Sequence, residues 1–247
     1  MRTVAIVQAR LGSSRLPGKV LADLDGDTML ARVVSRLQAA RTIDDIVIAT
    51  TTKSSDDPVV AEASRLGVHA WRGSEQNVLA RYIGAARTFK AGAVVRVTSD
   101  CPLLDPETID RVVNALRAST VDYASNTHVR SYPRGLDAEA FYLETLERIF
   151  NLATSEAAKE HVTAYLMEKP DAFAISHVTA DVDDSDLRWT VDTEEDLALV
   201  RALYAQLGLG RTFAPYREVV AAVRARPELA AINSQITQKN WQDSRVA

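Results

Sequence analysis

Three cations, two glycines and two serines crowd into ten residues near the start of this chain, Arg10-Leu-Gly12-Ser13-Ser14-Arg15-Leu-Pro-Gly18-Lys19. Such a loop suits a polyphosphate. Glycine lets backbone N–H groups approach a ligand without a Cβ in the way, the hydroxyls add donors, and the cations neutralise charge. The apolar run Val4–Val7 reads as a buried strand, so Ala9 and the loop fall at the carboxyl end of a first strand, a ligand position in α/β sheets. A P-loop is excluded by count, because five residues rather than four separate Gly12 from Gly18 and Val20 stands where a Mg²⁺-binding hydroxyl belongs. A G-x-G-x-x-G fingerprint is absent too. The bland alternative is a solvated basic loop.

Two acids could complete the chemistry. Asp100 comes just past a strongly β run, Val94–Thr98, and Asp192 closes Trp189–Val191. Were both runs strands of one parallel sheet, both carboxylates would project from its carboxyl edge, beside the basic loop. Mg²⁺ needs a few carboxylate oxygens, with phosphate and water filling the octahedron. Asp100 and Asp192 are therefore candidate metal ligands, and with Arg15 and Lys19 the candidate catalytic set. The family resemblance given below implies that the chemistry would be nucleotidyl transfer. An acceptor oxygen attacks the α-phosphate in line while pyrophosphate leaves, and positioning and charge neutralisation carry catalysis. Arg15 and Lys19 would neutralise the β- and γ-phosphates, and Arg10 would work partly through its backbone near the base. Each acid has a simpler account, since Asp192-Thr-Glu-Glu could cap the next helix unaided. Cys101 precedes a proline and is expected to pack.

The elements that must position these residues alternate. Asp27-Thr28 caps a helix carrying Leu30, Val33, Val34 and Leu37 at helical spacing. Strand Ile46–Thr50, helix Pro58–Leu66, strand Val68–Trp71, helix Val78–Phe89 and strand Ala93–Thr98 follow, and Asp105-Pro106-Glu107 opens another helix. This rhythm predicts an α/β fold, a Rossmann-like mostly parallel sheet with helices on both faces. From Asp122 the pattern changes. A polar stretch, Ser125–Asp137, leads to Ala138–Tyr142 and to helices around Leu143–Ala153 and Ser155–Glu168. Phe173–Val178 and Leu187–Val191 read as later strands, and Glu194–Leu207 as a helix. One domain over residues 1–230 is expected, with an elaboration around 122–180 and a polar tail, 231–247, that docks on a neighbour or frays.

The segment Ala9-Arg10-Leu-Gly-Ser-Ser14-Arg15-Leu-Pro-Gly18-Lys19-Val-Leu resembles the nucleotide-binding loop of the cytidylyltransferases that make CMP-activated acidic sugars. These are the CMP-Kdo and acylneuraminate synthetases, with the spore-coat-polysaccharide SpsF-type proteins the nearest branch. The resemblance recurs in order at Gly73–Tyr82, Arg96–Leu103, Tyr132–Phe141, Glu160–Thr163 and Leu187–Leu197. It implies a nucleotide-diphospho-sugar-transferase type fold, CTP as donor, and Mg²⁺ on Asp100 and Asp192. It places Ala9, Arg10, Gly12, Ser13, Ser14, Arg15, Lys19 and Asp100 on the nucleotide. Arg72-Gly73-Ser74 resembles the segment that approaches cytosine, and Thr50-Thr51 is the other candidate wall of that pocket. Arg134, Asp137 and Glu139 fall at the acceptor. Arg134 suits a bidentate grip on a carboxylate, and the two acids suit hydroxyls or an amine. A solvated loop is the rival account of each. His161, the last acceptor candidate, reads equally as a packed or capping histidine. His69, His128 and His177 lack metal-ligand spacing. Gln76-Asn77 departs from the acidic residues common in relatives, which bears on acceptor identity.

Bulk properties agree. The 247 residues carry a net charge of −4, which argues against nucleic-acid binding. One cysteine excludes an intrachain disulfide. No apolar run reaches membrane-span length and no signal peptide is recognised, so a cytoplasmic location is expected. The expected partners are CTP and a small acidic acceptor, with no nucleic acid and no membrane, and the expected assembly is a homodimer. The expected activity is transfer of CMP from CTP to an acidic sugar or related acid with release of pyrophosphate. Its rivals are a nucleotidyl- or glycosyltransferase of the same fold using another nucleotide, and a non-catalytic nucleotide-binding module. Spacing and composition exclude neither GTP nor UTP.

Overall fold

The computed structural model describes residues 1–238. Its first half alternates strand and helix: β1 (Thr3–Gln8), α1 (Met29–Ala39), β2 (Asp45–Thr51), α2 (Asp57–Arg65), β3 (His69–Gly73), α3 (Val78–Thr88), β4 (Ala93–Thr98) and α4 (Pro106–Ala118). The four strands are parallel. The second half supplies β5 (Tyr123–Ser125), β6 (Glu139–Tyr142), α5 (Leu143–Leu152), α6 (Glu156–Glu160), α7 (Ala164–Glu168), β7 (Ile175–His177), α8 (Glu194–Leu207), α9 (Tyr216–Arg224) and α10 (Pro227–Ala231). All seven strands join one sheet in the order β3-β2-β1-β4-β6-β5-β7, in which β6 runs against both neighbours.

Local chemistry sets the helix starts. The Thr28 hydroxyl accepts from Ala31 N at 3.0 Å to open α1. Asp105 accepts from Thr108 N at 2.8 Å to open α4, whose first residue is Pro106. Strand alternation then builds a core on each face. Ala5 and Val7 of β1 meet Leu30, Val33, Val34 and Leu37 of α1 and the apolar residues of α4, α8 and α9. Val4 and Ile6 meet α3 and α5 on the opposite face. Each such side chain contributes about 1.5–3 kcal/mol on full burial, several times any helix propensity, so packing decides where these helices lie.

The structure departs from the sequence reading in five places. β3 continues through Arg72 and Gly73, so those residues end a strand instead of following one. Tyr123–Ser125 pairs with β6 and β7 as a short strand inside the change of pattern. The helix read over Ser155–Glu168 is broken at His161-Val162-Thr163, where Thr163 turns inward and donates to Glu139 at 2.8 Å. Leu187–Val191 is extended but is not a strand of the sheet. Trp189 N donates to Arg134 O at 2.6 Å and Val191 N to Asp100 O at 2.8 Å, so its partners are loop backbones. Residues 231–238 dock on their own chain through Asn233, and the rest of the expected tail lies outside the described residues.

Candidate active site

The basic loop leaves β1 at the carboxyl edge and closes on itself, with Gly18 N donating to Leu11 O at 3.0 Å. Gly18 sits at φ +72, a left-handed conformation that disfavours a side chain, and it starts the short helical turn Lys19–Leu21. That turn sends Lys19 inward. Its ammonium donates to Asp100 Oδ2 at 2.8 Å, to Asp192 Oδ1 at 2.9 Å and to the Val191 carbonyl at 2.7 Å. Asp100 lies just past β4 as expected. Asp192 reaches the same point by the pairing of Val191 with Asp100, rather than from a strand end. Gly135 makes this approach possible: at φ +107, a Cβ there would lie 2.7 Å from Trp189 C and Thr190 N.

Asp192 is the most heavily engaged of these groups. Besides Lys19 it takes Arg15 at 3.0 Å and Arg188 at 2.8 Å on Oδ2. Burial pushes its carboxyl up, but Lys19, Arg188 and Arg15 more than offset this and hold it below the usual aspartate range. Burial likewise pulls the Lys19 ammonium down, and Asp100 and Asp192 outweigh it, so the lysine stays charged. Asp100 accepts from the Thr98 hydroxyl at 2.5 Å. Among the described residues no cluster of three or more His, Cys, Asp or Glu side chains forms a ready cation cage. Two carboxylates facing one positively occupied point nevertheless suit Mg²⁺, which uses one or two carboxylates and takes its remaining ligands from phosphate and water.

A cleft of about 760 Å³ opens from these acids and is lined by all four acceptor candidates. Asp137 is held bidentately by Arg130 at 2.7 and 2.9 Å. Glu139 is 5% exposed and takes Tyr123 OH at 2.5 Å, the Thr163 hydroxyl and Arg96. Its carboxylate is therefore committed within the protein instead of open to a hydroxyl. Burial pushes it up and Arg96 and Tyr123 pull it further down, so it stays ionised. His161 caps the break after α6, and burial lowers its pKa, favouring the neutral ring. The Arg134 guanidinium lines the cleft, half-buried, with no protein carboxylate paired to it among the described residues.

The base-side candidates form a separate wall at the ends of β1, β2 and β3. Arg72 donates to Thr51 O at 2.9 Å, to Lys53 O at 2.7 Å and to Asp57 Oδ1 at 2.6 Å. Asp56 ties this wall to the loop, accepting from Leu11 N at 2.8 Å and from the Thr51 hydroxyl. Glu75 bridges Arg10 at 3.4 Å and Lys53 at 2.5 Å. The Thr50 hydroxyl is buried without a hydrogen-bond partner. Ser13 Oγ accepts from Leu16 N at 3.4 Å within the loop, Gly12 and Ser14 are exposed, and Arg81 donates to Ser74 O at 2.8 Å. Arg15, Asp100 and Asp192 line the cleft, and the base-side wall joins the same loop through Leu11 and Asp56.

Sequence reasoning did not find Arg96, Thr98, Arg130 or Arg188. Arg96 and Thr98 alternate with the core residues Val95 and Val97, a period-two signal that places both on one face of β4. Arg130 and Arg188 have carboxylate partners only four to eight residues away, but the pairs span irregular segments where no helix or strand period links them.

A doubly covered, mostly parallel sheet with a basic loop after β1 and two carboxylates converging on it defines a nucleotidyltransferase-type site. The family profile described as cytidylyltransferase matches residues 4–209, and the chain belongs to that family. The spore coat polysaccharide biosynthesis protein SpsF of Bacillus subtilis (strain 168) is 32% identical over 232 residues, covering 91% of this chain and 95% of that protein. The structure of a cytidylyltransferase from Leptospira borgpetersenii is similar with a TM-score of 0.89 at 28% identity, covering 97% of this chain and all of that one. A CMP:2-keto-3-deoxy-manno-octonic acid synthetase solved with CTP shares the fold, with a TM-score of 0.65 at 21% identity over 83% of this chain and 99% of that one. The protein is a CTP-dependent nucleotidyltransferase. Among the described residues no helix is long and apolar enough to cross a membrane.

Proposed function

We propose that this enzyme joins the CMP moiety of CTP to an acidic sugar or a related acid and releases pyrophosphate. The observation that carries the acceptor class is Arg134, which lines the cleft without a carboxylate to neutralise it among the described residues. Its planar donors match a carboxylate, and desolvation strengthens such a pair. The polysaccharide role in the name of the Bacillus subtilis relative supports a sugar.

In this scheme the base lies against Thr50, Thr51, Arg72, Gly73 and Ser74, and the phosphates lie on the loop from Ala9 to Lys19. Asp100 and Asp192 would hold Mg²⁺, which when bound polarises the α-phosphate and eases deprotonation of the attacking hydroxyl. The acceptor oxygen bonds to the α-phosphorus as its bond to the pyrophosphate oxygen breaks. Lys19, which donates to both carboxylates, turns to the departing phosphates beside Arg15. Arg134 holds the acceptor carboxylate, Asp137 orients hydroxyls while anchored by Arg130, and Glu139 fixes Arg96 and Thr163 in the cleft floor. The test is pyrophosphate release from CTP across acidic sugars and their neutral carboxamides. Release is expected with an acid and not with its amide; equal rates with both would overturn the acidic acceptor.

A further inference from the structure

Asp192 takes three cations, Lys19 on Oδ1 and both Arg15 and Arg188 on Oδ2. Arg15 and Lys19 come from the nucleotide loop, and both are needed at the phosphates under the function proposed above. Arg188 comes from the same segment as Asp192 and shares that carboxylate's Oδ2 with Arg15; its side chain is 10% exposed, and it is fixed in turn. Its Nε donates to Asp196 Oδ1 at 3.0 Å, its Nη2 to Asp196 Oδ2 at 3.1 Å, and its Nη1 to the Gln238 amide oxygen.

Asp196 is wholly buried and does more than cap α8. One oxygen accepts from the backbone N–H of Asp192 at 2.9 Å and of Thr193 at 3.1 Å. The other accepts from Asn233 Nδ2 at 2.8 Å, and the same amide donates to Arg188 O at 3.0 Å. A helix cap needs only the Thr193 pairing. The remaining bonds fix the guanidinium and the backbone of Asp192 together, and they recruit the C-terminal segment to do so. Gln238 also lines the mouth of the cleft beside Arg15.

We propose that Arg188, clamped by Asp196, Asn233 and Gln238, is the positioning residue that sets Asp192 for the cation, which makes residues 233–238 a working part of the active site. The proposal rests on the reading that Asp192 is a metal ligand. Outer partners of a ligating carboxylate commonly change metal affinity or activity by about 10- to 100-fold.

The test uses the full chain with Arg188→Lys, Asn233→Ala, Gln238→Ala and Asp192→Asn. Mn²⁺ binding is read by paramagnetic resonance with CMP present and no acceptor, alongside kcat, KM for CTP and the thermal midpoint. Arg188→Lys keeps a cation beside the buried Asp196. Arg188→Lys and Asn233→Ala are expected to weaken Mn²⁺ binding and lower kcat about 10- to 100-fold, with KM for CTP little changed. Gln238→Ala is expected to shift both in the same direction by less. Wild-type Mn²⁺ affinity and kcat in folded Arg188→Lys and Asn233→Ala would overturn the proposal, even with a lowered thermal midpoint, because a merely structural bond would move stability alone. If Asp192→Asn binds Mn²⁺ and turns over normally, the metal-ligand reading itself has failed. If it loses both while the other variants keep both, only the positioning role has failed.

Discussion

Lys19 makes the sharpest test of the site, because two roles of one ammonium can be separated. It stands between Asp100 and Asp192, with side-chain exposures of 10%, 21% and 13% for the three groups. Lys19→Ala leaves two carboxylates facing one point with their shared cation gone. Removing one partner of a fully buried pair costs about 3–5 kcal/mol, and the partial exposure here takes the lower end, about 3 kcal/mol. For a chain of this size that lowers the thermal midpoint by about 6–12 °C. If the vacated point is a cation site, Mg²⁺ should stabilise the variant by mass action, restoring about 2.7 kcal/mol at a hundredfold excess over its dissociation constant. Wild type should gain less from Mg²⁺ alone, since the ion competes with a tethered ammonium.

Thermal unfolding with EDTA and with Mg²⁺, for both proteins, gives the comparison. The pH dependence has a definite sign. The Lys19 pKa is raised, so its contribution is complete below about 10.5 and lost as pH rises through the folded value; the Asp192 pKa is lowered, so its contribution is complete above about 3.8 and lost as pH falls. The stability gap between the proteins should therefore be flat across neutral pH. Single-turnover rates test the second role. Loss of a group that stabilises departing pyrophosphate should cost about 10²- to 10³-fold in the chemical step, with CMP binding little affected. An unchanged midpoint, or a Mg²⁺ response equal in both proteins, would refute the placement of the ion. Equal weakening of CMP and CTP binding would refute the phosphate role.

Asp100→Asn should fold and lose kcat by several powers of ten, at about 1.4 kcal/mol per power, and near-wild-type turnover would remove Asp100 from the mechanism. Arg134→Ala should raise the KM for the acidic acceptor by at least about tenfold, from the loss of one or two charge-assisted bonds, while the KM for CTP stays put; equal change in both would place Arg134 on the nucleotide. CTP should raise the thermal midpoint more than GTP or UTP at equal concentration, and a larger shift with GTP would count against the base pocket at Thr50 and Arg72.

The fold was legible wherever its signals are local. Thr28 and Asp105-Pro106 announce helix starts because a cap acts over three residues, and Val4–Val7 shows as a buried strand because its neighbours are polar. Tyr123–Ser125 was not legible: three residues cannot display a period, and their partners in β6 and β7 are fixed by the sheet. Leu187–Val191 shows the opposite failure. Its buried Leu187, Trp189 and Val191 alternate as a strand's would, yet the hydrogen bonds that hold it extended come from Arg134 and Asp100.

The site divides along the same line. Asp100, Asp192 and Lys19 could be named from residue type and position, because chemistry selects the type and the strand ends suggest the place, whereas Arg134 was named only through the family resemblance. Which cation is free could not be read. Arg130 and Arg134 lie four residues apart in one loop, and sequence treats them alike. Only the fold gives Arg130 to Asp137 and leaves Arg134 to the cleft. Arg96 is the same problem reversed, a cation whose partner Glu139 arrives from a strand distant in sequence, whereas Arg188 meets Asp192 and Asp196 from its own segment only because the chain turns back there. Under the proposed function, the cleft selects its ligand by the charge that the described residues leave unpaired, that of Arg134. On that reading acceptor specificity would reside in the pairing pattern as much as in the residues, and exchanging the partners of Arg130 and Arg134 should change it without altering the composition of the cleft.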